Sequence, residues 1–328
     1  MKKSWSNRIR SYLVRAVNNH FVSRAAGKAR LVILIYHRIL ERPDPLMSSE
    51  PDIASFRWQM EALASNFHVL ALGDALDKLR SGTLPQRAVC ITFDDGYRST
   101  HDRALPILKQ LGLRATVFIT TRHLDGSNMW NDRIMHAIRT MPDGVLNLRD
   151  AGLGQYLLSA ASDRASIATS LIGGAKYMSS ADRMALTTRI ESLAGLPLQD
   201  GLMLSEQMVK NLINNGFDVG GHTVTHPILA KLDDSLAQHE IVQCKLELEA
   251  ITGRPVRFFA YPNGKVGIDY DERHVQMAKQ AGYEAAFITT IGSVSTTTDL
   301  FQVPRGRPWD KSSLLFQLRI VRWLAQRD

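Results

Sequence analysis

The chain has 328 residues, 45% of them hydrophobic and 22% charged, enough to bury a large core and too apolar for a disordered or fibrous chain. Its 40 Lys plus Arg against 32 Asp plus Glu give a net charge of +8, which favours anionic partners without choosing among phosphates, nucleic acid and acidic headgroups. The two cysteines, Cys90 and Cys244, have no CxxC spacing and suggest neither a disulfide framework nor a thiolate metal site, which fits a reducing compartment.

Residues 1–30 form a basic amphipathic segment. Trp5, Ile9, Tyr12, Leu13, Ala16, Val17 and Phe21 share one helical stripe, with Lys and Arg largely on the other side. Arg8, Arg10 and Arg15 interrupt every apolar run before it reaches the length of a signal-peptide core, and no stretch approaches the ~20 apolar residues of a membrane span. The stripe suits a helix lying in a membrane interface or one docked on its own domain. The expected location is cytoplasmic, with peripheral contact at the inner face of the cytoplasmic membrane.

From residue 31 to 308, strand-like and helical runs alternate. LVILIYH (31–37), AVCITF (88–93), ATVFITT (115–121), FDVGGH (217–222), VRFFAYP (256–262) and EAAFITT (284–290) are short and mostly apolar on both faces, as in a parallel sheet or barrel covered by helices. Helical patterns fall at 55–67, 104–112, 205–216, 235–253 and 271–282. Residues 127 to about 204 break this rhythm and read as a helical insertion without a convincing strand. Residues 309–328 form a second basic amphipathic helix, with Leu314, Leu318, Val321 and Leu324 on one side and Arg319, Arg322 and Arg327 nearby.

In parallel α/β folds the loops at strand ends converge on one rim. Three of these ends are unusually polar: Asp94-Asp95 in VCITFDDGYRS (89–99), GGHTVTHP (220–227) and YPNGK (261–265). Two adjacent carboxylates after a buried strand need cations to hold them there. His222 and His226, four apart, can aim both imidazoles at one point, and an Asp from a neighbouring strand completes a three-ligand divalent-metal site. That leaves the second Asp available as a base.

At these residues the sequence resembles the NodB-homology polysaccharide deacetylases, carbohydrate esterase family 4. TFDDG (92–96) matches the family's first motif and HTVTH (222–226) its H-S/T-x-x-H motif. The resemblance spans residues 31–126 and 205–308. It implies an α/β fold of the distorted (β/α)7-type barrel kind and a metal-dependent hydrolase that removes N-acetyl groups from an amino sugar. The substrate would belong to a surface polysaccharide, an oligosaccharide or a lipid- or nucleotide-linked precursor. Asp94 would be the general base, Asp95, His222 and His226 the metal ligands, Zn2+ the usual metal, and the backbone N–H of Tyr97 the oxyanion donor.

Two family features are missing from their usual places. FAYPNG (259–264) carries Ala260 where the motif has an Arg that orients the base, and Asn263 where it has an aromatic residue. Arg305, in VPRGRPW (303–309), is the expected substitute, with Arg257 as the weaker alternative. No His follows His274, so the late general-acid His is absent. The Tyr-His of LIYHRI (34–39) resembles a subgroup linked to exopolysaccharide and cell-surface glycan synthesis, which makes His37 the candidate acid. Trp130 and Asp132 are expected to line the sugar groove or to cap the insertion. The rival readings are a non-sugar amide or imide hydrolase of the same fold and a non-catalytic glycan- or membrane-binding module. No nucleic-acid partner is expected, because only the charge supports one.

Overall fold

The computed structural model describes residues 29–195, 201–307 and 310–326. The N-terminal stripe therefore lies outside the described residues. Seven strands form one parallel sheet: β1 (Leu31–Tyr36), β2 (His68–Val69), β3 (Ala88–Phe93), β4 (Thr116–Ile119), β7 (Asp218–Gly221), β8 (Phe258–Ala260) and β9 (Ala285–Phe287). Its order is β1-β3-β4-β7-β8-β9, with β2 pairing with the start of β3. The segment 303–306 closes the curl, because Val303 bridges to Phe287 of β9 and Gly306 to Leu34 of β1. The result is a distorted barrel. Of its strands, only the two-residue β2 falls outside the sequence-predicted runs.

Period-2 alternation along buried strands sorts the side chains into two layers. Leu31, Ile33, Ala88, Cys90, Phe118, Ala260 and Phe287 belong to one core cluster, while Val32, Leu34, Val89, Ile91 and Phe93 pack in another with the surrounding helices. Both cysteines are buried and free. The covering helices are α1 (Ile53–Asn66), α2 (Leu72–Arg80), α3 (Leu105–Gln110), α7 (Glu206–Asn214), α8 (Asp234–Thr252), α9 (Glu272–Gln280) and α10 (Ser313–Leu324). In α10 the buried residues are Phe316, Gln317, Ile320, Val321, Trp323 and Leu324, packed towards α1 and β1, while Leu314, Leu315 and Leu318 stay exposed. The stripe expected from sequence thus divides: Val321 and Leu324 face the core, and Leu314 and Leu318 face away.

The insertion has its own core, in which Ile134, Ile138, Leu146, Leu171, Leu186 and Ile190 are buried together. It contains α4 (Trp130–Thr140), α5 (Ala161–Ala175) and α6 (Ser180–Ala194), and also an antiparallel hairpin, β5 (Gly144–Leu148) with β6 (Gly154–Leu158). The hairpin corrects the expectation of a purely helical insertion. Leu146 and Leu148 alternate with exposed Val145 and Asn147, so these short strands bury only one face. Such a pattern is much weaker than the apolar runs of the barrel.

Candidate active site

The alternation that places Ala88 and Cys90 inside the barrel carries on through Thr92 to Asp94, at the mouth. Asp94 and Arg305 are both buried and paired through two parallel bonds, Nη1 donating to Oδ1 at 2.7 Å and Nη2 to Oδ2 at 2.7 Å. Arg305 Nη1 also donates to Thr92 Oγ1 at 3.2 Å, and the guanidinium carbon lies 5.1 Å from the ring centroid of Phe118. Burial alone would raise the pKa of Asp94, but Arg305, followed by His222 and His37, brings it below its ordinary value. Arg257 pairs with Glu284 instead and immediately precedes β8, at the opposite end of that strand from the mouth.

Asp95, His222 and His226 present one ligand atom each within 4.8 Å of one another. Asp95 Oδ1 is 3.4 Å from Nε2 of both histidines. His222 Nδ1 donates to the Ala260 carbonyl at 2.7 Å, since a carbonyl can only accept. In the neutral ring this leaves the Nε2 lone pair facing Asp95. Ala260, which replaces the family Arg, thus contributes its backbone here. Burial would raise the pKa of Asp95, but the three nearby histidines push it well below the carboxylate range. Burial would lower that of His222, but Asp94 and Asp95 outweigh it and raise it. His226 is lowered to about 3, by burial first and by the charge of His222 against it.

The loop carrying these ligands is held from behind. Glu240 of α8 is buried, its Oε2 accepting from the amides of Val224 and Thr225 at 2.8 Å each and its Oε1 from the Thr225 hydroxyl at 2.6 Å. Thr223 Oγ1 accepts from the His226 amide at 3.1 Å. Asp95, Thr223, His226 and Asn263 all have positive φ, at 72°, 66°, 57° and 59°. Such backbone conformations cost energy in non-glycine residues and persist where surrounding bonds enforce them.

Tyr97 follows Asp95 by two residues. Arg98 N–H donates to Leu202 O and Leu204 N–H to Gly96 O, both at 2.8 Å, so the returning end of the insertion brackets Tyr97. Among the described residues the Tyr97 amide has no acceptor. Its hydroxyl donates to Asp132 Oδ2 at 3.1 Å, Asp132 also binds Arg38, and the Arg38 guanidinium lies 4.0 Å over the Tyr97 ring. Burial raises the pKa of Asp132.

His37, Asp94, Asp95, Tyr97, Asp132, His222 and His226 line one cleft of about 320 Å³. Arg307 Nη2 sits 2.6 Å from Nδ1 and 2.9 Å from Nε2 of His37. A guanidinium only donates, so it favours the neutral imidazole, and burial together with Arg307 lowers the pKa of His37. Trp130 does not line the cleft; it packs on the insertion core beneath Arg183. Arg38, Arg307 and Glu240 are parts of the site that sequence reading does not single out. Only the proximity of Arg38 to His37 and of Arg307 to Arg305 hints at the first two.

A parallel barrel with an Asp-His-His cluster that can hold a metal and an adjacent carboxylate at its mouth has the make-up of a hydrolase site. The family model for polysaccharide deacetylases matches residues 81–157 and 168–286, and the chain belongs to that family, whose members hydrolyse the amide of N-acetyl groups. The protein YxkH of Bacillus subtilis (strain 168), named as a polysaccharide deacetylase, is 20% identical over 85% of this chain and 71% of its own length. A poly-beta-1,6-N-acetyl-D-glucosamine N-deacetylase of Staphylococcus epidermidis is 30% identical over 32% of this chain and 40% of its own. Among solved structures, the deacetylase PplD of Streptococcus pyogenes superposes with a TM-score of 0.61 at 18% identity, over 90% of this chain and 99% of that one. IcaB of Ammonifex degensii gives 0.58 at 17%, over 92% and 98%. The family is generally metal-dependent, and the residues at this centre can hold a metal.

Proposed function

We propose that the protein removes the acetyl group from an N-acetylated amino sugar of a surface glycan or its precursor, with Asp95, His222 and His226 holding Zn2+. The observation that carries this reading is the pairing of buried Asp94 with Arg305 beside those three ligands in one cleft. Two imidazoles and a carboxylate suit Zn2+ and leave positions open. The bound ion would supply Lewis acidity at the acetyl carbonyl and lower the pKa of water at that position.

Asp94 accepts the proton of the attacking water, and Arg305 keeps its carboxylate ionised and aimed. The Tyr97 amide donates to the oxyanion as it develops. His37 delivers a proton to the leaving amine, because an amine leaves poorly as its anion. Neutral at rest, His37 must gain this proton within the substrate complex, balanced by the one that Asp94 removes from the attacking water, and Arg307 sets how readily. The substrate named for the Staphylococcus relative supports an exopolysaccharide amino sugar, and a cytoplasmic or membrane-surface location remains part of the proposal. Exposed Leu314, Leu315 and Leu318 support the surface contact.

The test is acetate release from N-acetylglucosamine oligomers by the Zn2+-loaded full chain, before and after chelation. Release that stops on chelation and returns with metal is expected. Hydrolysis of imides but of no amino-sugar amide would instead favour the rival hydrolase.

A further inference from the structure

Helix α5 stands at the mouth of the barrel. Its Thr169 and Ile172 line the catalytic cleft, and it packs against the turn Pro45–Met47 that follows β1. Just past its C-terminus the chain is fixed to another part of the rim. There the Tyr177 hydroxyl donates to Asp269 Oδ1 at 3.2 Å, and the Lys176 ammonium lies 3.4 Å from the same oxygen. Asp269 is fully buried, and its Oδ2 accepts from the Lys265 amide at 3.0 Å in the loop after β8. Since β1 and β8 are well separated in the sheet order, α5 is anchored at two distant points of the mouth.

Helix α4 contributes to the same wall. Asp132 and Met135 of α4 line the cleft, with Asp132 tied to Arg38 and Tyr97, while Arg139 of the same helix binds Asp44 Oδ2 at 2.6 Å. The core shared by α4, α5 and α6 backs this wall with buried leucine and isoleucine, so opening it would expose apolar surface. A polymer lying across a catalytic centre needs an entry and an exit in line with the reacting atoms. Here α4 and α5 wall one side of the cleft, with α5 packed on the 45–47 turn and tied past its C-terminus to Asp269. The cleft volume of about 320 Å³ is also at the low end of the roughly 300–1,000 Å³ usual for small-molecule sites.

We infer that the cleft is blind-ended and takes a free or chain-terminal N-acetylated sugar, excluding internal units of a long glycan. This rests on the proposed deacetylase reading. The experiment uses the Zn2+-loaded full chain with β-1,6-linked N-acetylglucosamine, from the monomer to the hexamer, and maps each lost acetyl group by fragmentation mass spectrometry. Loss confined to one terminal unit, at a rate per chain that does not rise with length, is the expected result. Loss from internal units at rates comparable to the terminal one would overturn the inference and leave the deacetylase reading intact. If no oligomer loses acetate, the underlying reading fails, and saturation-transfer NMR with the same oligomers then decides the shape. Contacts spread evenly along the hexamer would overturn the blind end, and contacts limited to a terminal unit would uphold it.

Discussion

Two carboxylates buried side by side stay ionised only where separate cations offset the burial of each. Arg305 does this for Asp94, and a metal ion held by Asp95, His222 and His226 would do it for Asp95. The sign of the resulting pH dependence follows from these causes: burial raises the pKa of Asp94 and Arg305 opposes it. Arg305→Ala should therefore move the acid limb of the kcat/KM profile to higher pH. It should also cost stability, on the order of 3–5 kcal/mol as expected for breaking a buried ion pair, which urea denaturation measures. An unchanged acid limb would detach Arg305 from the base. His37 carries the opposite expectation, since a general acid works only while protonated. Arg307 lowers its pKa, so Arg307→Ala should extend the basic limb upward. His37→Ala should slow amide cleavage much more than hydrolysis of an activated acetate ester, whose leaving group needs no proton. Equal losses on both substrates would reassign His37 to packing or binding.

At the scale of elements, the site depends on loops whose conformation is enforced from outside. The 222–226 loop holds two positive-φ residues and is pinned by Glu240 from α8. Glu240→Gln keeps the shape but turns part of the carboxylate into a donor facing backbone N–H groups. Zn2+ affinity should fall on the order of tenfold or more, as for other groups that orient metal ligands, with circular dichroism unchanged; calorimetric titration reads this directly. The apolar run 88–93 marks from sequence the strand end that carries Asp94 and Asp95, and HTVTH declares its two imidazoles by spacing, whereas a run buried on both faces leaves it to the fold to show which carboxylate points into the barrel. Glu240 is different: it reads as one charge in a helix full of them, because its contacts lie 15 and 16 residues back in a loop. The Arg38–Asp132 pair joins residues 94 apart, so Asp132 can be placed near a sugar groove but not tied to Tyr97. The β5-β6 hairpin stays hidden because only alternate residues of two five-residue strands meet the core.

Over the whole molecule, an apolar barrel places charges of both signs at one mouth, and the insertion covers part of that mouth. If the 1–30 segment binds headgroups, deleting residues 1–22 should shift the protein from membrane to soluble fractions. Raised salt should partly mimic the deletion by screening Lys and Arg, and unchanged partitioning would favour a helix docked on the barrel. Asp94 and Asp95 divide the labour of base and ligand, and the most direct test measures bound zinc and acetate release side by side in two variants. Asp94→Asn should keep about one zinc per chain and release no acetate, because the amide preserves shape but cannot take the proton, whereas the His222→Ala, His226→Ala double variant should lose both. Near-normal turnover in Asp94→Asn, or full zinc occupancy in the double variant, would contradict the account.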